Sequence, residues 1–448
     1  MSFFDIILSI CIITAAFIAA QRIYAKHIDA QWNYRFYKKA LSARIAFSIL
    51  FILVYTYYYD GGDTVYYFHG AGSIVALVQK NFGAALRMFL GERSEELRSF
   101  FDNRTGYPLY FKDANAWAVS RFIVPFYVLA FGSQLGTTLL LTIFMFFAIW
   151  DFYTMLLKLY PKEAKYMAIA LFFLPSILFW SGGILKDVWC LVATLQIYKA
   201  LWLIFFRKHR IGANILRYAL CAYVLISIRP FVFYCAFATG SLWVVFWYIK
   251  RVPNQLIRMA AFPFILAISL LTLVVILSQF GEAVEGRYGS FDTMLQHAVV
   301  VQDDLSKEYY GDNSFNIGHF DATVPSILSK APIAIVSGLF RPFLWEGQSL
   351  FLRISSIEAA FVFFFFIYLC IKTRIVGFIR AIINDSFLSS LTIFVIILAF
   401  FTGLTIANFG ALVRYRIMYL PFFCIILIRT WHASKKKTEE ENDIDENN

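Results

Sequence analysis

Two carboxylates and a histidine follow directly on an apolar segment early in the chain. The apolar segment, 45–59, ends in aromatic residues, and Asp60, Asp63 and His69 come within the next ten positions. The two glycines between the acids allow the backbone to turn sharply. A carboxylate where a membrane span meets water could take a proton from a hydroxyl group or hold a divalent cation. The alternative is an ordinary polar turn where a helix leaves the membrane.

A lysine and an aspartate stand side by side before a later apolar segment. The residues 181–185 include two glycines and lead into Lys186 and Asp187. The ammonium group could bind a phosphate while the carboxylate orients it. Asp187 could equally cap the following helix, because a negative charge suits the positive end of the helix dipole.

The tripeptide Arg-Pro-Phe occurs twice, each time after a short apolar run. Its arginines are Arg229 and Arg341, and Glu346 follows the second copy closely. Proline is tolerated in the first turn of a helix, so each arginine is expected just before a helix start. There a guanidinium group could bind a phosphate through two parallel hydrogen bonds. The alternative is an arginine that extends to lipid headgroups at the interface.

Charged residues also interrupt the last apolar segments. Arg414 and Arg416 lie near the start of the final segment, and Glu358 lies about 13 Å into an earlier one, with Arg353 as a possible partner. An ionisable residue inside a membrane is costly, and this favours a functional role. Residues two apart on a helix point to different sides, so we expect Arg414 rather than Arg416 to face a cavity.

Composition indicates what must position these residues. The chain has 448 residues, 60% of them hydrophobic and 15% charged, whereas soluble proteins carry about 25% charged residues. The excess positive charge behind the net +11 lies largely in short loops, as expected for cytoplasmic loops of membrane proteins, and does not indicate nucleic acid. All six cysteines fall in apolar runs, which gives neither a disulfide framework nor a zinc spacing.

We therefore predict an all-α fold, a polytopic transmembrane helical bundle that forms a single domain over residues 1–434. A span needs about 20 apolar residues, and the pattern gives about 11 spans, within a range of about 10–13. Residues 71–90 are predicted to form an interfacial helix, and 117–131 and 331–345 half-length, re-entrant helices. The predicted spans are 3–21, 45–59, 136–157, 166–180, 188–206, 214–228, 231–249, 259–279, 349–371, 386–404 and 411–430.

The distribution of charge predicts which loops lie outside. The loop 22–44 and the later short loops are basic and should be cytoplasmic. The two long loops, 60–115 and 281–330, lack that bias; the second carries eight acids against three bases, so both should be outer loops. The polar tail 435–448 is expected to be disordered and cytoplasmic. The chemistry would then face outward, as in a protein of the bacterial inner (plasma) membrane.

An acid pair after an early span, a later acid before another span, and outer arginines form a recognisable pattern. It resembles the GT-C superfamily of membrane glycosyltransferases and the membrane proteins of exopolysaccharide assembly. The resemblance implies that Asp60 or Asp63 acts on the acceptor and that Asp187 is the second acid. It also implies that Arg229, Arg341 or Arg414 contacts the phosphate of a polyprenyl-linked sugar.

The expected function is an enzyme that transfers or polymerises sugars from a polyprenyl-phosphate-linked donor to a glycan or lipid acceptor, among membrane lipids and without nucleic acid. The alternatives are a transporter or flippase for a lipid-linked glycan, and an assembly subunit without chemistry. No cofactor is firmly implied, although a divalent cation near Asp60 and Asp63 is possible. The predicted catalytic residues are Asp60, Asp63 and Asp187, the phosphate-binding ones Lys186, Arg229, Arg341, Arg414 and Arg416, and the supporting ones His69, Glu346 and Glu358.

Overall fold

The structure is a computed structural model that describes residues 3–26, 34, 36–251, 253, 296, 299–300, 313–347 and 349–446. All named elements in these ranges are helical, and the single β contact among them is an isolated bridge between Ser314 and Asn408. The all-α prediction is therefore confirmed. The predicted span 259–279 and most of the loop 281–330 lie outside the described residues.

The helices of the first half are numbered in chain order. They are α1 (Phe3–Lys26), α2 (Tyr37–Tyr57), α3 (Asp63–Lys80), α4 (Phe82–Leu90), α5 (Glu95–Arg98), α6 (Ala114–Leu129), α7 (Gln134–Leu159), α8 (Ala164–Phe172), α9 (Pro175–Trp180), α10 (Lys186–Leu201), α11 (Ile211–Ile228) and α12 (Pro230–Ile249). Short 3₁₀ turns lie at Leu109–Lys112 and Pro161–Glu163, and a π-helical turn, Trp202–Phe206, continues α10.

The described helices of the second half follow the same numbering. They are α13 (Val324–Ser329), α14 (Ala331–Phe340), α15 (Leu350–Lys372), α16 (Arg374–Asn384), α17 (Ser386–Thr405), α18 (Phe409–Arg416) and α19 (Leu420–Glu446). The bounds of α19 include most of the tail for which composition predicts disorder. Helix α16 carries Arg374 and Arg380, which lie between the predicted spans 349–371 and 386–404 and were expected in a short loop.

Eight helices in the described ranges are long and apolar enough to cross a membrane, or nine if the bent pair α18–α19 forms one span. The count of about eleven spans is therefore not confirmed. The predicted span 166–180 is divided into α8 and α9, because Pro175 cannot continue a helix and holds Leu174 in an extended conformation. The predicted half-length segments correspond to α6 and α14, with 16 and 10 residues.

The chain divides into two compact units, which are described separately. Unit 1 comprises Met1–Ala164, Leu171–Gln196 and Ala219–Arg229. Unit 2 comprises Lys165–Ala170, Ile197–Tyr218 and Pro230–Asn448. The single domain predicted over residues 1–434 thus consists of two clusters of internal contacts.

In unit 1, the first long loop has a hydrophobic core of its own. The Trp117 side chain is buried, and its ring meets Phe111 at 5.1 Å between ring centres and Phe101 at 6.4 Å. Side chains from α3, α4 and α5 complete this cluster. The predicted interfacial helix 71–90 is broken at Asn81, whose side chain accepts a hydrogen bond from the Ala84 amide and begins α4. The loop is therefore a folded layer rather than an open connection.

In unit 1, buried polar contacts hold the turn that precedes α10. Arg44 of α2 donates hydrogen bonds to the Ser181 hydroxyl at 2.5 Å and to its carbonyl at 3.0 Å. Ser48, one turn further along α2, donates to the Gly182 carbonyl at 2.7 Å. A Cβ atom at Gly183 would overlap the ring of Phe51, so only glycine allows this close approach. These contacts position the start of α10.

In unit 2, two glycines allow α14 and α17 to cross at close range. A Cβ atom at Gly338 would overlap the Ala399 carbonyl, and one at Gly403 would overlap the Ala334 carbonyl. The hydroxyl of Tyr419 also donates to the Gly338 carbonyl at 2.7 Å. The crossing lies near the end of α14 at Phe340, and Arg341 follows directly.

Candidate functional site

The predicted site residues fall into two groups, one in each unit. In unit 1, Asp63 is the first residue of α3 and follows the turn at Asp60, where three successive residues have φ angles of 50°, 119° and 105°. Asp63 is half-buried and accepts a hydrogen bond of 2.6 Å from the Tyr110 hydroxyl. This contact joins the acid to the far end of the folded loop. Asp60 is exposed.

His69 is not brought to the same place as Asp63. It lies six residues along α3, which places it about 9 Å further along the helix and about 120° around its axis. Its side chain is exposed, and its ring lies 6.0 Å from that of Phe68. The interpretation of His69 as a supporting residue therefore gains no support from the described contacts.

Asp187 and Arg229 form a buried ion pair. The Arg229 Nη1 atom lies 2.7 Å from Asp187 Oδ1, and their side chains are 6% and 0% exposed. Asp187 stands in the first turn of α10, and Arg229 lies directly before the start of α12 at Pro230. The expected positions of both residues at helix starts are confirmed. Because Asp187 is fully buried against a cation, it is better placed to hold Arg229 than to contact a substrate.

Lys186 faces a further acid that the sequence analysis missed. The Lys186 Nζ atom lies 3.8 Å from Asp113 Oδ2, with side-chain exposures of 18% and 44%. Asp113 also begins α6, because its Oδ1 accepts hydrogen bonds from the amides of Asn115 and Ala116. An aspartate directly before an apolar run is a helix-start signal. The sequence could thus have indicated the cap, but not the lysine opposite it.

A second missed residue ties these elements together. The Asn115 side chain donates a hydrogen bond of 3.0 Å to the Ser227 carbonyl, near the end of α11 and two residues before Arg229. Asn115 lies in the first turn of α6. It therefore connects the start of α6, where Asp113 lies, to the end of the helix that carries Arg229.

The ammonium group of Lys186 lies at the centre of these charges. The groups that act on it electrostatically are Asp113, Arg229, Asp63 and Asp187. Three carboxylates and one further cation, from separate segments of unit 1, thus lie near the ammonium group of Lys186. Asp63 can accept a proton and Lys186 can bind an anion, and both retain access to solvent. Such a set can support acid–base chemistry on a substrate that carries a phosphate.

A divalent cation near Asp60 and Asp63 would need several ligands from neighbouring side chains. In the described ranges, no three side chains of histidine, cysteine, aspartate or glutamate gather closely enough to hold a metal ion. The carboxylates of unit 1 are instead engaged by Tyr110, Lys186 and Arg229.

In unit 2, Arg341 follows the last residue of α14. Its Nε atom lies 3.5 Å from Glu346 Oε1, and its guanidinium group lies 4.5 Å from the centre of the Phe315 ring. Glu346 also accepts a hydrogen bond of 2.8 Å from the Phe343 amide. The expectation that Arg341 stands just before a helix start is wrong, because residues 342–347 form no helix and α15 begins at Leu350. The chain there folds back on Arg341 instead.

Arg416 is the second arginine of this group. It ends α18, is 1% exposed, and donates a hydrogen bond of 2.8 Å from Nη1 to the backbone carbonyl of Arg341. Arg414 is half-buried on the same helix. The structure thus brings Arg416 into contact with Arg341, whereas the sequence favoured Arg414.

Glu358 lies buried within α15, as its position in the apolar run predicts. Both Glu358 and Arg416 act electrostatically on the thiol of Cys424 in α19. Arg353, considered as a partner of Glu358, is exposed and donates from Nε to the Gly347 carbonyl at 3.3 Å. Glu358 therefore lies near Arg416 and is shielded from solvent.

Comparison with known proteins does not assign this chain to a family. A scan against protein-family models, a search of curated proteins and a search of solved structures found no match to this chain. The functional interpretation therefore depends on the residues themselves and on their geometry.

Proposed function

We propose that this protein is a membrane glycosyltransferase or polymerase that uses a polyprenyl-phosphate-linked sugar in the assembly of an envelope polysaccharide or other glycan. The observation that carries the proposal is the gathering of Asp63, Asp113, Lys186, Asp187 and Arg229 in unit 1. A proton acceptor and an anion-binding cation within reach of each other are what such a transfer requires.

The positions of these residues relative to the candidate spans favour an enzyme. Asp63 and Asp113 lie outside the candidate spans, Lys186 and Asp187 are the first two residues of one, and Arg229 lies between two others. All five are therefore at or beyond the ends of spans. A transporter or flippase, the second candidate, would instead require polar groups along a path through the membrane.

The proposed reaction is a direct displacement at the anomeric carbon. The acceptor hydroxyl oxygen forms a bond to that carbon, while the bond from the carbon to the donor phosphate oxygen breaks. The Asp63 carboxylate takes the hydroxyl proton, and the electron pair of the broken bond stays on the departing phosphate. The Tyr110 hydroxyl donates a hydrogen bond to Asp63 and so orients the carboxylate that takes this proton.

The cations stabilise the charge that develops on the departing phosphate. Lys186 is partly exposed and supplies an ammonium group that can contact this phosphate. Arg229 is paired with Asp187 and buried, so we assign the pair a positioning role at the start of α10. Asp113 would orient the lysine.

The test is Asp63→Asn in protein reconstituted in liposomes with radiolabelled lipid-linked sugars extracted from the source organism. The change removes the basicity of the side chain but keeps its size, so product formation should fall by about 10²–10⁴-fold. Binding of the labelled donor should change little, because Lys186 is intact. Glu95→Gln, which alters an exposed acid of the folded loop, is the matched control.

Full glycoside formation by Asp63→Asn would contradict the assignment of the base. A wild-type protein that moves the labelled lipid between leaflets without forming product would instead identify the transporter. Both measurements use the same liposomes, so they separate the two candidate functions directly.

A further inference from the structure

The guanidinium group of Arg416 has an incomplete set of hydrogen bonds in unit 2. Nη1 donates to the Arg341 carbonyl at 2.8 Å. Nε and Nη2 are both buried, yet neither has a hydrogen-bond partner among the residues that the structure describes. Buried polar groups are nearly always hydrogen-bonded, so an open pair of donors on a side chain that is 1% exposed requires an explanation.

The two open donors are those that point in the same direction. In an arginine side chain, the Nε–H bond and one N–H bond of Nη2 run parallel, and together they bind two oxygens of a carboxylate or phosphate. The backbone contact to Arg341 uses the other edge of the group. The protein thus anchors Arg416 by one edge and leaves its bidentate edge available.

Arg341, the residue to which Arg416 is anchored, also has an open donor. Its Nη1 atom is buried and has no hydrogen-bond partner within the described part of the chain. The rest of this guanidinium group is held in place by Glu346 at 3.5 Å and by the Phe315 ring at 4.5 Å. Because Arg416 donates to the backbone of Arg341, the two arginines are fixed in direct contact.

We propose that Arg416 and Arg341 bind a tetrahedral oxyanion, the phosphate of a phosphomonoester or phosphodiester. Two parallel donors and a third from a neighbouring residue suit a group with three or more oxygens better than a planar carboxylate, which has two. The Arg341 side chain is 18% exposed, so the site is reachable from its surface. This proposal stands on unit 2 alone and does not depend on the transferase proposed above.

The bound phosphate group could belong to a water-soluble molecule or to a lipid headgroup. The test measures binding of inorganic phosphate and of dihexanoyl phosphatidic acid to the purified full-length protein in detergent, by microscale thermophoresis. Sodium chloride at equal ionic strength controls for charge screening. Tighter binding of the lipid, in competition with inorganic phosphate, would identify the headgroup; equal or weaker binding would identify the free ion as sufficient.

Arg416→Lys is the decisive variant, because it retains the charge but cannot form two parallel hydrogen bonds. The dissociation constant for the tighter probe should rise at least about tenfold, the effect expected from losing one charge-assisted hydrogen bond. Arg380→Lys, an exposed arginine of α16, is the matched control and should bind as the wild type does. Equal affinity in Arg416→Lys and wild type would overturn the proposal.

A second variant covers a failure of Arg416→Lys to give monodisperse protein. Arg341→Lys keeps the backbone carbonyl that anchors Arg416 but removes Nη1, and it should also weaken binding. If neither variant folds, the wild type must still show saturable binding of one probe that sodium chloride does not reproduce. Absence of such binding would overturn the proposal.

Discussion

At the scale of single residues, the three aspartates considered for catalysis have different surroundings. Asp60 is exposed, Asp63 accepts a hydrogen bond from Tyr110, and Asp187 is fully buried against Arg229. Of these three acids, Asp63 is the one that combines access to solvent with a hydrogen bond from a neighbouring side chain. This is why we place the proton acceptor there and assign Asp187 to positioning.

The Asp187–Arg229 pair yields a prediction about stability. Asp187→Asn leaves the Arg229 guanidinium group buried without a balancing charge, and breaking a buried pair in this way costs about 3–5 kcal/mol. Replacing both residues, in Asp187→Leu with Arg229→Met, should cost less than the single change, because no unpaired charge remains. Thermal unfolding of the detergent-solubilised proteins, followed by scanning fluorimetry, measures the difference.

The exposed pair of Lys80 with Asp102 is the control for that comparison. Its side chains are 44% and 40% exposed, and surface pairs contribute little to stability. Lys80→Met should therefore leave the unfolding temperature almost unchanged. A double variant of the buried pair that is less stable than Asp187→Asn would contradict the interpretation.

At the scale of elements, the crossing of α14 and α17 depends on glycine. Gly403→Ala should force the helices apart, since the new methyl group would overlap the Ala334 carbonyl. Overpacking of this kind typically costs about 1–3 kcal/mol. The same shift would move the end of α14 and with it Arg341, so phosphate binding should weaken together with stability. Unfolding temperature and phosphate affinity are the two measurements.

Gly212→Ala provides the matched change in an open position. A Cβ atom at Gly212 of α11 would meet no atom within 4 Å, and alanine is favoured over glycine in a helix. This variant should be as stable as the wild type or slightly more so. An equal loss of stability in both variants would show that close packing is not the cause.

At the scale of the whole molecule, the predicted topology places the unit 1 cluster outside the membrane. The candidate span that begins at Lys186 ends at Phe206, and residues 207–210 follow it directly in the chain. In a background without the six native cysteines, Glu95→Cys should react with an impermeant maleimide in intact cells. His209→Cys should react only after the cells are permeabilised.

The reverse labelling pattern would place the carboxylates in the cytoplasm. That result would contradict the proposal of an outward-facing transferase, although the contacts within unit 1 would stay as described. The phosphate-binding test on unit 2 uses purified protein and gives its answer under either orientation. The two proposals can therefore fail independently.

Local features of the sequence predicted the all-α fold and several of the helix ends. Its apolar runs predicted most of the helices that could cross a membrane, and Pro230 marked the start of a helix. The helix start at Pro175, inside the predicted span 166–180, was missed. These features depend on local chemistry, because proline restricts its own backbone and apolar length decides whether a helix suits a bilayer. The half-length segments 117–131 and 331–345 were predicted for the same reason.

The tertiary structure alone decided which of the charged residues meet. Tyr110 and Asp63 are 47 positions apart, and Arg44 and Ser181 are 137 apart. No local pattern distinguished Asp63 from Asp60, and helix spacing favoured Arg414 over Arg416, the arginine that contacts Arg341. Their roles depend on which side chains from distant helices lie opposite them, because burial and a neighbouring charge decide whether an acid or a base is paired or available. Such neighbours are set by helix packing, which the spacing of residues along the chain does not contain.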